Sequence, residues 1–255
     1  MAEAGGTAAS RLAWQGARIE GIEPLAEGIK RVVLRPRVWH APFAGQHVDV
    51  RLTAEDGYQA QRSYSLLSPP ERSGVYELGI EYLPEGEVSP WFHEAAAVGD
   101  EVELLGPAGG HFVWRAQSGT PALLVGGGSG VVPLLAMMSH RAGHRSGAPV
   151  ALCVAARTLA HVPMWTELQE WERADERMRC VLALSRQAQA PRPQDRAGRL
   201  QTGDLATALQ WLGGHAAQSC TAYLCGSNGF VESVTAMLRD LQLPDGAIRT
   251  ERFGG

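Results

Sequence analysis

The sequence has few cysteines, and their spacing excludes the usual thiolate metal sites. Its 255 residues include four, Cys153, Cys180, Cys220 and Cys225, and no two of them form a CxxC pair. Structural zinc sites and iron–sulfur domains need closely spaced groups of thiolates. We therefore expect reduced and mostly buried thiols.

The sequence also lacks a long apolar run and a strong excess of either charge. No stretch approaches the ~20 consecutive apolar residues of a membrane-spanning helix. The first residues, MAEAGGTAASR, lack the charged and apolar regions of a signal peptide. The net charge is −4, from 23 basic and 27 acidic residues, which is not typical of nucleic-acid binding. We expect a soluble, cytoplasmic protein.

Two hydrolase motifs are absent as well. The chain contains neither HExxH nor GxSxG, which argues against helical metallohydrolase and α/β-hydrolase chemistry. Apolar residues make up 45% and charged residues 20% of the chain, a normal globular composition. The length suffices for two domains.

The chain divides into two parts with different secondary-structure patterns. Residues 1–116 contain six short candidate strands separated by turns, which is typical of a β-barrel or sandwich. One short helix is predicted at VSPWFHEAA, with Ser89 as N-cap and Pro90 at its first position. In residues 117–255 strands and helices alternate, which predicts a parallel sheet with helices on both faces.

A glycine-rich loop joins the first strand and helix of the second part, in the stretch LLVGGGSGVVPLLAMM. Glycines let the backbone approach an anion closely, and a helix N-terminus supplies free N–H groups. The loop therefore predicts a pyrophosphate site at Gly127, Gly128, Ser129, Gly130 and Val131. The Rossmann fingerprint is not met, because Val131 and Pro133 stand where its last glycine would be needed. A tight turn without a ligand remains the alternative.

The ends of the next two strands bear on which nucleotide binds. The second strand ends at Arg157 and Thr158, and the third at Ser185 and Arg186, with Arg192 following in a polar loop. NAD sites often have an acidic residue at such a position, whereas arginine matches a 2′-phosphate. The pattern favours NADPH over NADH. Solvated loop charges are the alternative.

Six motifs occur in an order that resembles a known family. They are RSYS (62–65), GEVSPW (86–91), GPAGGHF (106–112), GGGSGVVP (126–133), CG (225–226) and ERFGG (251–255). Together they resemble the ferredoxin–NADP reductase-like flavoprotein family, and most closely its short, stand-alone bacterial FAD-binding oxidoreductases. The resemblance extends from about residue 14 to the end. It implies a six-stranded antiparallel FAD-binding barrel followed by an α/β domain that binds NAD(P)H.

The resemblance also implies roles for individual residues in FAD binding. Arg62 would clamp the FAD pyrophosphate, Tyr64 would pack against the flavin, and Ser65 would lie near flavin N5. Further residues would complete the FAD site around the short helix and the strand before it. These are Ser63, Ile80, Gly86, Val88 and Ser89.

The resemblance places other residues beside the nicotinamide. Cys225 and Gly226 would line its pocket, Glu251 would lie by the flavin, and Phe253 would cover the flavin until nicotinamide displaces it. Ser65, Cys225 and Glu251 are thus the candidate catalytic residues.

The implied reaction is hydride transfer from nicotinamide C4 to flavin N5, in the cleft between the domains. Because the chain has no Cys-x4-Cys-x2-Cys run, we expect a separate acceptor: a ferredoxin, a flavodoxin, an oxygenase component or a small molecule. A non-catalytic flavin- or nucleotide-binding regulatory or assembly module on the same fold is the alternative. A dehydrogenase acting directly on a small substrate is disfavoured, because no acid–base constellation is found.

Overall fold

The computed structural model describes residues 13–144, 147–213 and 220–253. The N-terminal stretch in which a signal peptide was sought lies outside these ranges, as do the two residues after Phe253. None of the helices in the described ranges is long and apolar enough to cross a membrane.

The first half forms a six-stranded antiparallel sheet that closes into a barrel, as the resemblance predicts. Its strand order is β4-β3-β6-β1-β2-β5, and a single bridge between Leu66 and Leu78 joins the two outer strands. The strands are β1 Gln15–Ala26, β2 Ile29–Pro36, β3 His47–Thr53, β4 Gln59–Ser65, β5 Tyr76–Glu81 and β6 Glu101–Ala108.

Alternating side chains fill the barrel. In β3, Val48 and Val50 are fully buried while the residues between and beside them are only partly so, the pattern of a strand with one face on a core. Strand β4 departs from this pattern, since most of its residues are exposed. It is an edge strand of the sheet, and its polar side chains do not pack into the core.

A short helix, α1 (Val88–Glu94), follows β5, but its N-cap differs from the prediction. The cap residue is Glu87, and Ser89 lies inside the first turn. The Ser89 hydroxyl accepts a hydrogen bond from the Leu83 backbone N–H at 3.2 Å, so it stabilises the turn before the helix rather than the helix end. The predicted N-cap was therefore wrong.

The second half is a parallel sheet of six strands with the order β10-β9-β8-β7-β11-β12. The strands are β7 Ala122–Gly127, β8 Val150–Ala156, β9 Met178–Leu184, β10 Arg196–Ala197, β11 Thr221–Ser227 and β12 Ile248–Phe253. The helices are α2 Val132–Ala142, α3 Trp165–Ala174, α4 Thr202–Trp211 and α5 Asn228–Asp240. Successive residues of β7 join different cores: Leu124 packs with α2 and α3, and Leu123 with α4 and α5. Both faces of the sheet are thus covered by helices, as predicted.

The two halves share a continuous apolar contact. Phe112 and Trp114, which follow the barrel, belong to the same buried cluster as Leu134 and Met137 of α2. The predicted boundary between residues 116 and 117 lies between β6 and β7, in the segment that leads from one sheet to the other. It stays a prediction.

Candidate active site between the barrel and the α/β domain

A cavity of about 1020 Å³ lies between the two halves. On the α/β side it is lined by the carboxyl ends of β7, β8, β9 and β11, the edge at which parallel sheets bind ligands. On the barrel side it is lined by the β1–β2 turn at Gly28 and by the end of β5, from Glu81 to Pro84. The cavity is therefore a cleft to which both halves contribute.

Two of the candidate catalytic residues meet across the two halves. The Ser65 hydroxyl at the end of β4 donates a hydrogen bond to Oε1 of Glu251 in β12 at 3.4 Å. The second oxygen of Glu251, Oε2, is buried and has no hydrogen-bond partner among the described residues. Burial raises the pKa of Glu251 to about 7, and the hydrogen bond from Ser65 opposes this rise. A carboxyl group with this pKa can hold or release a proton near neutral pH.

Cys225 lies next to Glu251 in the sheet, since the two residues are partners in the β11–β12 pairing. Its side chain is completely buried, and it is not part of the cavity wall, whereas Gly226 is. Burial, followed by the nearby Glu251, raises the pKa of the thiol well above its ordinary value. A neutral buried thiol is not a nucleophile, so any role of Cys225 is limited to shaping the site.

The barrel has a seam between its outer strands, and the predicted FAD residues border it. Strands β4 and β5 are linked only at the Leu66–Leu78 bridge, and α1 contacts both of them. On the β4 side, Arg62 is exposed, and Tyr64 packs edge-on against Phe92 of α1 with ring centroids 6.3 Å apart. Burial raises the pKa of Tyr64 well above its usual range, so its hydroxyl stays neutral.

The other predicted FAD residues are placed less uniformly. Ser63 donates its hydroxyl hydrogen to Asp49 on the neighbouring strand, on the strand face opposite Arg62 and Tyr64. The Ile80 side chain is fully buried in the barrel core, and its carbonyl oxygen contacts Nε2 of His93 at 2.8 Å. Only part of the predicted set is therefore free to meet a ligand.

The start of α1 combines a tight turn with an uncapped helix end. A Cβ at Gly86 would lie 3.3 Å from the Leu83 carbonyl oxygen and 3.4 Å from the Ser89 hydroxyl, so a side chain is unfavourable there. Val88 is buried, and no side chain caps the first turn. With Arg62 across the seam, free N–H groups and a guanidinium are available for an anion such as the FAD pyrophosphate.

The glycine loop fits closely between β7 and α2. A Cβ at Gly130 would lie 2.3 Å from the Cys225 carbonyl oxygen, and one at Gly127 would lie 3.0 Å from the Phe230 ring. Gly128 has a φ of +59° and no atom within 4 Å of its missing Cβ. Val131 is fully buried and supports the turn from within the core. Gly128 is thus the point at which a phosphate could approach the backbone.

Ser129 of the same loop is hydrogen-bonded to the barrel. Its hydroxyl donates to Oε2 of Glu81 in β5 at 2.6 Å. Because a hydroxyl has one hydrogen to donate, Ser129 cannot serve this carboxylate and a bound pyrophosphate at once.

The residues predicted to select NADPH are only partly brought together. Arg157 and Ser185 line the cavity, and both are exposed. Arg186 adjoins Arg157 through a backbone hydrogen bond of 2.8 Å, but its side chain is not in the cavity wall. The Thr158 hydroxyl contacts Nδ1 of His161 at 2.9 Å, and Thr158 does not line the cavity either.

Arg192 is excluded from nucleotide binding. It bonds to Glu172 and Asp195 and donates to the Cys180 carbonyl oxygen at 2.8 Å. Its guanidinium also lies 4.5 Å from the centre of the Trp165 ring. These contacts hold the polar loop against α3 and β9.

Arg199 and Phe230 are among the cavity residues that the sequence analysis missed. Arg199 lines the cavity near Arg157 and Ser185, is exposed, and has no ion pair among the residues that the structure describes. It lies in the polar loop after Arg192, where no periodic pattern marks it. Phe230 of α5 also lines the cavity, as does the predicted Phe253. Phe230 was not predicted, because the helical pattern of α5 is enough to explain an apolar residue at its position.

Both expected cofactors fit the residues that are present. The barrel seam offers an exposed arginine, an aromatic ring and uncapped helix N–H groups for a flavin nucleotide. The cleft offers a glycine with an open approach and two exposed arginines for a second nucleotide. Its volume of about 1020 Å³ is at the upper end of ordinary ligand pockets, as a dinucleotide requires.

Comparison with known proteins agrees with this division of the chain. Residues 40–114 match the family model of the oxidoreductase FAD-binding domain, and residues 124–236 match that of the oxidoreductase NAD-binding domain. The chain is 28% identical over 240 residues to the phenol hydroxylase P5 protein of Acinetobacter pittii, covering 92% of this chain and 63% of that protein. It is 30% identical over 259 residues to the flavohemoprotein of Chromobacterium violaceum, covering 94% of this chain and 61% of that protein.

A solved structure gives the same result. The Amycolatopsis cytochrome P450 reductase GcoB superposes with a TM-score of 0.80 at 27% identity, over 95% of this chain and 70% of that one. The chain spans less than two thirds of the length of the two sequence relatives named above. The FAD- and NAD-binding domains, the ordered motifs and the shared fold together show that the chain belongs to the ferredoxin–NADP reductase-like flavoprotein family.

Proposed function

We propose that the protein is an NAD(P)H-dependent flavoprotein reductase, with FAD held by residues 1–116 and NAD(P)H by residues 117–255. The observation that carries the proposal is the cleft between the halves, which is lined by the glycine loop and two exposed arginines. The Ser65–Glu251 hydrogen bond, outside the cleft wall, also joins the end of β4 to β12. Bound FAD would accept a hydride from NAD(P)H at N5 and pass the electrons on singly.

The chain's own residues supply binding and placement. Arg62 balances the charge of the FAD pyrophosphate, and Tyr64 forms an apolar wall for the flavin. Ser65 and Glu251 form a hydrogen-bonded pair at the junction of the two halves, where Glu251 holds or releases a proton. Phe253 lines the cleft and would have to move for a nicotinamide ring to stack on the flavin.

We propose NADPH as the preferred nucleotide, with NADH as the weaker one. Arg157 and Arg199 reach the cavity beside Ser185, and both guanidinium groups are exposed. Two arginines near a hydroxyl suit the charge and geometry of a 2′-phosphate. Arg199 takes the place that the sequence analysis gave to Arg186.

The electron acceptor is proposed to be an oxygenase component, a ferredoxin or a flavodoxin. The relatives include the reductase component of propane 2-monooxygenase from Mycolicibacterium smegmatis. All four cysteines of this chain are buried and unpaired, so none of them is placed to hold an iron–sulfur cluster, and the electrons leave these 255 residues. Four unpaired thiols also suit a reducing, cytoplasmic location.

Anaerobic reduction tests the proposal. The FAD-loaded protein is mixed with NADPH or NADH, and the flavin absorbance is followed. Bleaching, faster with NADPH, is expected. If the flavin stays oxidised with both nucleotides, the reductase proposal fails. The hypothesis of a non-catalytic flavin- or nucleotide-binding module is then favoured. Reoxidation by candidate ferredoxins, flavodoxins and oxygenase components then identifies the acceptor.

A further inference from the structure

Two histidines and a glutamate meet on the side of the domain contact that does not face the cleft. Glu71 lies in the loop between β4 and β5, His140 lies in α2, and His144 follows α2 by two residues. Oε1 of Glu71 is 2.7 Å from Nδ1 of His140 and 3.6 Å from Nδ1 of His144. None of the three lines the cavity between the halves.

The three side chains have the composition and spacing of a metal site. Each can offer one ligand atom, and these atoms lie within 4.8 Å of one another. The histidines are four residues apart, so α2 and the turn after it present both to the same side, as in helical zinc-binding pairs. Zinc sites with two histidines and one carboxylate, completed by water, are common among proteins.

The ligand atoms must shift to hold a metal ion, and the exposed member of the cluster can do so. Zinc–ligand bonds of about 2.0–2.1 Å in a tetrahedron place neighbouring ligand atoms about 3.3 Å apart. The three ligand atoms lie within 4.8 Å of one another, so the farther ones must approach, and the 2.7 Å contact between Glu71 and His140 must lengthen. The Glu71 side chain is 45% exposed and lies in a loop, so it can shift without disturbing the core.

The surroundings of His140 and His144 support a fixed ligand geometry. His140 is almost fully buried and packs edge-on against Trp114, with ring centroids 5.9 Å apart. Nε2 of His144 lies 2.9 Å from the side-chain amide nitrogen of Gln117. Nδ1 of His144 lies 2.8 Å from the His140 carbonyl oxygen, so Nδ1–H donates to it, which is the outer hydrogen bond that metal-bound histidines usually make. Nε2 is therefore the ligand nitrogen of His144, and a metal ion would replace the Gln117 N–H as its partner.

We propose that Glu71, His140 and His144 form a binding site for a divalent transition metal of the zinc class, with water as the remaining ligand. Glu71 belongs to the loop that follows the flavin-binding strand, and both histidines belong to the α/β half. The ion therefore fastens the barrel to α2. Its position away from the cleft makes it independent of the reductase reaction.

Zinc binding to the FAD-loaded full chain, free of any polyhistidine tag, tests the proposal. After removal of metal with EDTA, isothermal titration in a phosphate-free buffer at pH 7.5 is expected to show one Zn²⁺ per chain, with a Kd below ~10 µM. Zn²⁺ should also raise the unfolding temperature, and EDTA should reverse this rise.

Two ligand variants and one matched control make the result specific. Glu71→Gln and His144→Asn alter side chains that are not fully buried, so both variants should fold, and each should weaken Zn²⁺ binding at least ~10-fold. His161→Asn is the control, because His161 also faces a carboxylate across the two halves, Glu27 at 3.6 Å, but forms no three-ligand cluster with it among the described residues. If the wild type binds no Zn²⁺ in this range, or if Glu71→Gln and His144→Asn bind it as the control does, the cluster is only a set of polar contacts and the proposal is overturned.

Discussion

Replacing Glu251 with glutamine is expected to stabilise the protein above neutral pH and to leave it unchanged in acid. Glu251 is largely buried, its Oε2 has no partner among the described residues, and its pKa is raised to about 7. Between the ordinary value of 4.5 and about 7, the folded state therefore holds a proton that the unfolded state has lost. The contribution of Glu251 to the free energy of unfolding is therefore fully present below pH 4.5 and is lost as the pH rises through 7.

The size of the effect follows from the same two values. The gap between 4.5 and about 7 corresponds to about 3 kcal/mol of unfolding free energy. Glutamine keeps an acceptor for the Ser65 hydroxyl but cannot ionise. The difference in unfolding free energy between Glu251→Gln and wild type should thus grow from near zero at pH 4 to about 3 kcal/mol at pH 8.

Urea unfolding, followed by tryptophan fluorescence from pH 4 to pH 8, measures this difference. Glu55→Gln serves as the control, because it changes an exposed carboxylate in the β3–β4 turn and should show no such trend. A difference for Glu251→Gln that stays constant within ~1 kcal/mol over the whole range would show that burial does not shift Glu251 as argued.

Three further predictions concern the two nucleotide sites. Arg62→Ala should weaken FAD retention at least ~10-fold, because it removes the counter-charge of the pyrophosphate; unchanged retention after gel filtration would refute the assigned role. Arg199→Ala should raise KM for NADPH ~10-fold and leave KM for NADH nearly unchanged, and equal effects on both would remove the 2′-phosphate argument. Glu81→Gln should lower the Kd of NADPH about threefold, since it removes a carboxylate beside the glycine loop; a higher Kd would mean that the Ser129–Glu81 contact assists binding instead.

Much of the fold could be predicted because its patterns are local. The buried alternation of β3 and the apolar run of β7 are visible in short windows of sequence. The N-cap of α1 could not be predicted, because Ser89 is of a preferred N-cap type, whereas the observed cap residue, Glu87, is not and makes no side-chain cap hydrogen bond. The choice was settled by the Leu83 backbone N–H, which hydrogen-bonds to the Ser89 hydroxyl.

The site was less predictable, because it depends on contacts between distant segments. Ser65 and Glu251 are 186 residues apart in the chain, and no periodic pattern in either strand predicts their contact. Only the resemblance to the family predicted that both residues lie beside the flavin. Arg199 reaches the cavity because the loop before it is held by Asp195, which accepts from the Leu182 backbone N–H at 2.9 Å. In the sequence the same loop is simply polar.

Two carboxylates, Glu81 and Glu251, link the barrel to the α/β half and bear on how a nucleotide reaches the glycine loop. Glu81 accepts from Ser129 and Glu251 accepts from Ser65, and each of these hydrogen bonds joins the barrel to the α/β half. A pyrophosphate that reaches the glycine loop offers Ser129 another anionic acceptor, so one charge-assisted hydrogen bond replaces another at little net cost. The Ser65–Glu251 contact does not involve the loop, so it can persist during this exchange. Nucleotide entry thus requires the loop to change partners while the pair beside the flavin site stays in place.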